Sequence, residues 1–476
     1  MAGIKSLVKD TAIYGLSSII GRFLNYLLVP IYTRVLDTGE YGIVTNLYGY
    51  TALVLVVLTF GMETTYFRFA NKEENKADTV FTNSFAFVST LTLVFLITLF
   101  LFIDPISRAL HYTDHQNYIL LMAAVVSIDV IQALPFCRLR FQKKAIRFAS
   151  LRLLFIALNI GLNLLYFVVF GVRDVVYVFI LNLVCSAIIT FFFLPDLFKL
   201  KWKLDFSILR QMLDYTWPLF ILGITGILNQ TADKIIFPLV YPDEVVGKEL
   251  LGIYGGCVKI AMIMAMITQA FRYAYEPIVF AQAKSKDKNE TYALGMKFFI
   301  IFTLLAFLAV IAFLPILQEI VGKKYQVGMK VVPIVMIAEI MMGIYFNLSF
   351  WYKLIDKTIY GAWFSLAGCI VLFAVNILGI PHFNYMACAW GGLFGYGTAM
   401  TLSYIIGQRM NPIRYDLKSI GGYVLLTAFL YMAMTAFEIE NRWLCIGYRT
   451  ILLLVFMAYT AWKDLPVKTI LQRFKR

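Results

Sequence analysis

Runs of about twenty apolar residues alternate with short polar stretches along the chain. A transmembrane α-helix needs about 20 mostly apolar residues to cross the roughly 30 Å hydrocarbon core of a bilayer. The pattern therefore predicts an all-α integral membrane protein with about fourteen transmembrane helices. The predicted spans are 11–33, 43–62, 80–103, 117–136, 148–170, 175–195, 213–240, 251–275, 292–316, 331–352, 359–380, 385–407, 419–437 and 444–462.

Lys and Arg are concentrated in alternate connections between the predicted spans. With both termini on one side, the termini and connections of that side carry 27 Lys and Arg, and the opposite connections, including Arg449, carry 9. Short cytoplasmic loops of membrane proteins carry an excess of basic residues. We therefore expect both termini of a multi-pass protein to lie in the cytoplasm.

Composition supports a membrane protein without a soluble domain. The chain is 61% hydrophobic and 15% charged, whereas soluble domains are about 45–50% apolar and about 25% charged. The net charge of +14 is explained by the basic loops, so we expect no nucleic-acid partner. The six cysteines are scattered without CxxC spacing and the three histidines fall in predicted loops. We therefore expect no metal site and no cofactor.

Two stretches of the sequence can be aligned as an internal repeat. VPIYTRVLDTGEYGIV aligns with FPLVYPDEVVGKELLGIY when Pro30 is paired with Pro238 and Gly42 with Gly252, with a two-residue insertion in the second stretch. The first six spans and the next six would then be two lobes of the same orientation, and such repeats often place a substrate site between them. The predicted divisions are an N-terminal lobe at 1–212, a C-terminal lobe at 213–418, and the last two spans with a basic tail at 419–476.

Charged residues inside the predicted spans are the main candidates for function. A charge at the centre of a membrane helix costs roughly 2.5–3.5 kcal/mol on insertion scales, so it needs a partner, a water-filled cavity or a ligand. Arg22 and Lys259 lie about a dozen and about eight residues inside their spans, too deep for easy snorkelling. They contact an anionic ligand, pair with the intramembrane acids Asp129 and Glu339, or do both in turn as the site fills and empties. An excess of cations favours a phosphate or pyrophosphate group, which arginine binds bidentately.

Four further positions complete the candidate site. Arg272 shares a helix face with Glu276, which favours a structural pair. Asp233 and Lys234, near the outer end of the seventh span, cap that helix or gate a cavity, and Asn25 aligns with Asp233 in the repeat.

The other intramembrane charges have more ordinary interpretations. Arg152 and Lys297 lie in the first turns of their spans, where their long side chains reach the headgroups. Asp129 and Glu339 could carry H⁺ or Na⁺, or simply neutralise cations. The absence of a GxxxxGK[ST] motif argues against direct use of ATP.

Four stretches, spread over nearly the whole chain, resemble the Wzx-like polysaccharide flippases of the multidrug/oligosaccharidyl-lipid/polysaccharide (MOP) exporter superfamily. They are TAIYGLSSIIGRFLNYLLVPIYTRVLDTGEYGIVTNLYGY, NQTADKIIFP with LGIYGGCVKIAMI, YFNLSFWYKLIDKTIYGAW, and VNILGIPHFNYMACAWGGLFGYGTAMTLSYI.

This resemblance implies two six-helix lobes around a central cavity, with two additional C-terminal helices. It implies a bacterial inner-membrane flippase, not an enzyme, that moves undecaprenyl-pyrophosphate-linked oligosaccharide to the periplasmic leaflet for surface polysaccharide such as O-antigen or capsule. A polysaccharide polymerase would be a partner. By position, the pyrophosphate would meet Arg22, Lys259 and Arg272.

Three alternatives stay open. A peptidoglycan-precursor flippase of the same superfamily would share the spans and the cationic cavity, whereas cation-coupled multidrug exporters typically have fewer spans and acid-dominated cavities. A membrane enzyme acting on lipid-linked sugars would need a sizeable outer loop bearing catalytic groups, and the outer connections here are short.

Overall fold

The computed structural model describes residues 26–72, 76–200, 202–281, 288–355, 357–437 and 439–464. These residues form α-helices with short connections and contain no β-strand. Helix formation follows from the apolar composition, because backbone N–H and C=O groups in lipid can only be satisfied within the segment.

The first half of the described chain contains eight α-helices. A π-helical turn at Leu164–Val169 extends the seventh, and a 3₁₀ turn at Thr113–His115 precedes the sixth. The helices are α1 Leu28–Val35, α2 Thr38–Thr59, α3 Met62–Ala70, α4 Ala77–Leu101, α5 Ile103–Ala109, α6 Gln116–Phe141, α7 Ala145–Asn163 and α8 Val176–Phe191.

Ten helices follow in the second half of the described chain. The 3₁₀ segments Gln318–Ile320 and Lys323–Lys330 lead from the fourth of these to the fifth. The helices are α9 Leu194–Phe198, α10 Phe206–Val240, α11 Glu244–Ala281, α12 Lys288–Leu317, α13 Val331–Leu348, α14 Phe350–Leu354, α15 Ile359–Phe383, α16 Tyr385–Met410, α17 Leu417–Ala436 and α18 Arg442–Lys463.

The predicted all-α membrane fold is confirmed. Within the described residues, 11 helical segments are long and apolar enough to cross a membrane, and Val176–Phe191 is a shorter apolar helix at the predicted sixth span. Most of the predicted first span lies outside the described residues. The total of fourteen spans therefore stays a prediction.

Side-chain caps fix several helix starts. Asp37 and Glu40 form a capping box at the start of α2. Asp205 accepts from two backbone N–H groups at the start of α10, and Asn441 does the same for α18. Each cap satisfies N–H groups that would otherwise lack a partner within the helix.

The described chain divides into two compact units. Residues up to Gly255, together with Phe373–Cys388, form the first unit, and Gly256–Leu372 with the residues from Ala389 onward form the second unit. The lobe boundaries predicted from the sequence stay a prediction.

An aromatic and aliphatic core holds the first unit together. Tyr66, 1% exposed, packs edge-on against Phe81 and Phe141, with ring centroids 5.7 Å apart in both pairs. Away from this core, large apolar side chains such as Phe100 and Leu101 are exposed. In a helix that crosses a membrane, this exposure marks the face that meets lipid.

Arg449 lies within α18 of the second unit, so its assignment to an outer connection was wrong. Its Nη1 donates to the carbonyl of Ile311 at 3.1 Å, and its Nε donates to the carbonyl of Met434 at 3.1 Å. Pro315 lacks an N–H group and leaves the Ile311 carbonyl without its i+4 donor. Arg449 therefore supplies the donor that the proline removes, and it ties α18 to α12 and α17.

Lys297 also connects α12 to the last two helices. Its Nζ lies 2.6 Å from Asp464 Oδ1, just after α18, and 3.4 Å from Asp416 Oδ2 at the start of α17. Tyr423 OH donates to the other Asp464 oxygen at 2.6 Å. Lys297 thus has carboxylate partners that the sequence interpretation, which placed it at the headgroups, did not identify.

Candidate functional site

Two cations of the second unit, Arg272 on α11 and Lys353 on α14, line the same pocket. We call it the Arg272–Lys353 pocket. Its other lining residues, from α11, α12, α13 and α14, are Thr268, Phe271, Phe299, Gly343, Phe346, Asn347 and Phe350.

Both cations contact aromatic rings. The Arg272 guanidinium carbon lies 5.0 Å from the centroid of Phe346, and Lys353 Nζ lies 5.3 Å from that of Phe350. Cations within about 6 Å of a ring centroid are attracted by the ring quadrupole. An arginine beside a ring can still donate paired N–H bonds in its own plane. The pocket therefore combines two positive charges with apolar walls, a chemistry suited to an oxyanion.

The pocket is nearly closed. Its free volume is about 10 Å³, which is about the space of one water molecule. Gly343 permits this close packing, because a Cβ there would lie 2.9 Å from Phe299 Cε1 and 2.9 Å from Thr268 Cγ2. A larger ligand would require the walls to move apart.

Lys353 lies on α14, the short helix that follows Ser349. Ser349 separates α13 from α14, and its Oγ donates to the Phe346 carbonyl at 2.6 Å. The sequence interpretation counted Lys353 among the basic loop residues and missed it as a site residue. The aromatic run FWYKL was the available signal.

The other predicted cations are placed differently. Lys259 on α11 and Glu339 on α13 are half-buried in the second unit, and neither lines the Arg272–Lys353 pocket. Arg22 and Asn25 lie outside the described residues, as does the Glu276 side chain.

Asp233 and Lys234 form an ion pair in the first unit. Lys234 Nζ lies 3.1 Å from Asp233 Oδ1 and also donates to the Gln230 carbonyl at 2.8 Å. Tyr254 OH on α11 donates to Asp233 Oδ2 at 2.7 Å. The pair therefore links α10 to α11. Whether it also gates a cavity stays a prediction.

A proline near the same pair creates a further link. Pro238 removes the donor that the Lys234 carbonyl would normally have within α10. Asn46 Nδ2 on α2 donates to that carbonyl at 2.7 Å, and Tyr112 OH donates to Asn46 Oδ1 at 2.9 Å. The buried amide of Asn46 thereby joins α2 to α10.

Asp129 on α6 has partners from two neighbouring helices. Ser186 Oγ on α8 donates to Asp129 Oδ1 at 2.8 Å, and Arg152 on α7 attracts it electrostatically. The Arg152 guanidinium also lies 4.1 Å from the centroid of Phe136. The sequence interpretation paired Asp129 with Arg22 or Lys259 and placed Arg152 at the headgroups, so it missed this interaction.

Across the described part of the chain, no three His, Cys, Asp or Glu side chains group closely enough to hold a metal ion.

The family pattern described as "Polysaccharide biosynthesis protein" matches residues 7–271, more than half of the sequence. The chain belongs to this family. This match confirms the predicted resemblance to a polysaccharide family. No curated protein matches the chain.

Solved structures share the fold of this polysaccharide biosynthesis family member at low identity. Lipid II flippase MurJ in an inward closed conformation has a TM-score of 0.75 at 13% identity, covering 94% of this chain and 98% of MurJ. An inward-facing multidrug resistance MATE family transporter of the MOP superfamily has a TM-score of 0.67 at 14% identity, covering 82% and 94%. The MATE multidrug transporter DinF-BH has a TM-score of 0.61 at 17% identity, covering 86% and 96%.

Proposed function

We propose that this protein is an inner-membrane flippase that moves undecaprenyl-pyrophosphate-linked oligosaccharide from the cytoplasmic to the periplasmic leaflet for surface polysaccharide biosynthesis. The observation that carries the proposal is the Arg272–Lys353 pocket, where two cations meet within a membrane-spanning unit. The family match and the fold shared with a lipid flippase support it. The protein would move its substrate without changing it chemically.

The headgroup needs such a site because it cannot cross hydrocarbon unaided. Each polar group without a partner costs several kcal/mol in the bilayer core. Arg272 would bind phosphate oxygens bidentately, and Lys353 would supply a second charge. The polyprenyl tail can stay in the surrounding lipid while the cavity replaces water around the head.

The position of the pocket fits loading from the cytoplasm. By the distribution of basic residues, the ends of α11 and α13 that carry Arg272 and the α14 segment lie on the cytoplasmic side. The closed pocket would open there by separation of α13 and α14 from α11 and α12. This alternating access is part of the proposal.

The remaining predicted residues keep their proposed roles. Arg22 and Lys259 would be further cations on the substrate path, with Asn25 nearby. Asp129 and Glu339 would couple transport to H⁺ or Na⁺, and transport that persists after both gradients are collapsed would rule this out. A polysaccharide polymerase would receive the product.

Transport into the interior of proteoliposomes tests the proposal. A fluorescent lipid-pyrophosphate-linked oligosaccharide is followed by its protection from an added quencher, with wild type, Arg272→Gln and Lys353→Gln reconstituted at matched folded amounts. Each variant loses a pyrophosphate contact, and a charge-assisted bond contributes about 1.5–3 kcal/mol, so transport should fall by at least about tenfold. Lys357→Gln removes the same charge from an exposed position four residues away and should transport normally.

Parallel assays separate the alternatives. Faster transport of a peptidoglycan precursor lipid than of the oligosaccharide lipid would favour a peptidoglycan-precursor flippase, and export of a cationic dye would favour a drug exporter. Chemical consumption of the substrate would indicate an enzyme. Wild-type rates for both Arg272→Gln and Lys353→Gln would remove the pocket from the substrate path.

A further inference from the structure

A second basic cavity lies in the first unit, near the predicted cytoplasmic ends of the helices. The end of α6, the turn before α7, and α9 surround it, and we call it the Lys144–Lys199 pocket. Its volume is about 200 Å³, the space of several waters at about 30 Å³ each, which is enough for a phosphodiester group. Its polar lining residues are Arg138, Gln142, Lys144, Asp196 and Lys199.

The charges of this pocket do not cancel. The Arg138 guanidinium lies 2.7 Å from Asp78 Oδ1, and Asp196 Oδ2 lies 2.6 Å from Arg147. Both acids near the pocket therefore already have an arginine partner. Lys144 and Lys199 are exposed, and neither makes an ion pair with any residue that the structure describes. The pocket thus presents an excess of two positive charges.

A tight turn separates Lys144 from its neighbour in the sequence. Lys143 adopts a left-handed conformation with φ 57°, and the Lys144 N–H donates to the Leu139 carbonyl at 2.9 Å. This turn ends α6, and α7 begins directly afterwards. Lys144 lines the pocket whereas Lys143 does not, so the chain provides a matched comparison between adjacent lysines.

Exposed apolar side chains adjacent in the sequence to two lining residues favour a lipid over a free anion. Ile146, two residues after Lys144, is 73% exposed, and Phe198, directly before Lys199, is 82% exposed. A free phosphate would use only the charges, whereas a phospholipid would also use an apolar surface for its acyl chains. Basic pockets between transmembrane helices on the cytoplasmic side suit anionic headgroups.

We propose that the Lys144–Lys199 pocket binds the phosphodiester headgroup of an anionic phospholipid. Lys144 and Lys199 contact the phosphate oxygens, and the acyl chains lie along Ile146 and Phe198. This site is separate from the Arg272–Lys353 pocket, and the inference does not depend on the transported substrate.

Native mass spectrometry of the detergent-purified full chain tests the proposal. Phosphatidylglycerol and phosphatidylcholine are titrated against wild type, the double variant Lys144→Gln/Lys199→Gln, and the control Lys143→Gln/Lys203→Gln. A lysine beside an anionic headgroup contributes about fivefold in affinity, so the double variant should bind phosphatidylglycerol on the order of 25-fold more weakly. The control removes the same charge from exposed positions outside the pocket and should bind as wild type.

Three results would overturn the proposal. In the first, the double variant and the control lose phosphatidylglycerol binding equally. In the second, the wild-type protein binds phosphatidylcholine at the same concentrations as phosphatidylglycerol. In the third, an equal concentration of inorganic phosphate displaces phosphatidylglycerol. The last result would identify a free-anion site instead. Thermal unfolding without added lipid verifies that both double variants fold.

Discussion

Gly42 on α2 and Gly252 on α11 pack directly against each other within the first unit. A methyl group at Gly42 would overlap the Lys248 carbonyl, and one at Gly252 would overlap the Thr38 carbonyl. The two backbones therefore approach so closely that only glycine fits. These are the two glycines that the internal alignment pairs.

Substitution at this crossing should destabilise the protein. Gly42→Ala forces α2 away from the Lys248 carbonyl, and overpacking of this kind costs about 1–3 kcal/mol. The control is Gly226→Ala in α10, where a Cβ meets nothing within 4 Å. Because alanine is the better helix former, this control should gain roughly 0.5–1 kcal/mol. Equal unfolding temperatures of the two variants in detergent would show that the crossing is not tight.

The bond between Arg449 and the Ile311 carbonyl should depend on Pro315. Arg449→Met leaves the Ile311 and Met434 carbonyls without this donor, and an unsatisfied buried acceptor costs about 1–3 kcal/mol. Pro315→Ala restores the helical N–H that can bond Ile311, so Arg449→Met should cost less in that background. Thermal unfolding of the four proteins in this double-mutant cycle gives the coupling. Additive effects would mean that Arg449 stabilises α18 by another interaction.

Stability in acid should depend on Asp464. Partial burial acts to raise its pKa, but the hydrogen bonds from Lys297 and Tyr423 and the charges of Lys297 and Lys463 lower the pKa below its ordinary value. The ionised form is therefore stabilised in the folded state. This contribution is fully present above the ordinary Asp pKa of about 3.9 and is lost as the pH falls through the lower folded value.

Asp464→Asn tests this dependence. The variant should be less stable than wild type at neutral pH, and the difference should shrink below about pH 4. The folded fraction of detergent-solubilised protein measured across this range gives the result. Asp114→Asn, at an exposed position in a connection, serves as the control. A difference from wild type that stays constant down to the lowest pH would exclude the proposed linkage.

The spans were predictable because their signal is local. Apolar runs placed the eleventh predicted span at 359–380, and the helix is Ile359–Phe383. The partners of individual polar groups were not predictable, because they depend on distant residues. Arg449 donates to the Ile311 carbonyl, which Pro315 leaves without its helical donor more than a hundred residues earlier in the chain. Asn46 likewise donates to the Lys234 carbonyl, which Pro238 leaves without its helical donor.

The candidate site was predictable only in part. Arg272 was identified because it is a cation within an apolar run, a signal that the sequence carries by itself. Lys353 lies next to a connection and counted as a loop charge. That it shares a pocket with Arg272 depends on tertiary packing, which the sequence does not show. The sequence interpretation gave Asp129 a distant cation as partner, whereas Arg152 interacts with it from the next helix.

Gly343 controls how closely the walls of the Arg272–Lys353 pocket approach. It lies on α13 against Phe299 of α12 and Thr268 of α11. A side chain at this position would lie between three helices that the proposed transport cycle separates and brings together. Substitution should therefore affect the closed arrangement more than an open one.

Gly343→Ala should destabilise the closed pocket by about 1–3 kcal/mol, because the Phe299 ring must move to accept a methyl group. Gly343→Ala/Phe299→Leu should recover much of this loss, since leucine frees space at the same contact. Gly421→Ala in α17, where a Cβ meets nothing within 4 Å, controls for the change in helix propensity. The measurements are thermal unfolding in detergent and the proteoliposome assay. If closure is part of transport, Gly343→Ala should slow it and the double variant should restore it. Normal transport by a destabilised Gly343→Ala would show that this packing serves stability alone.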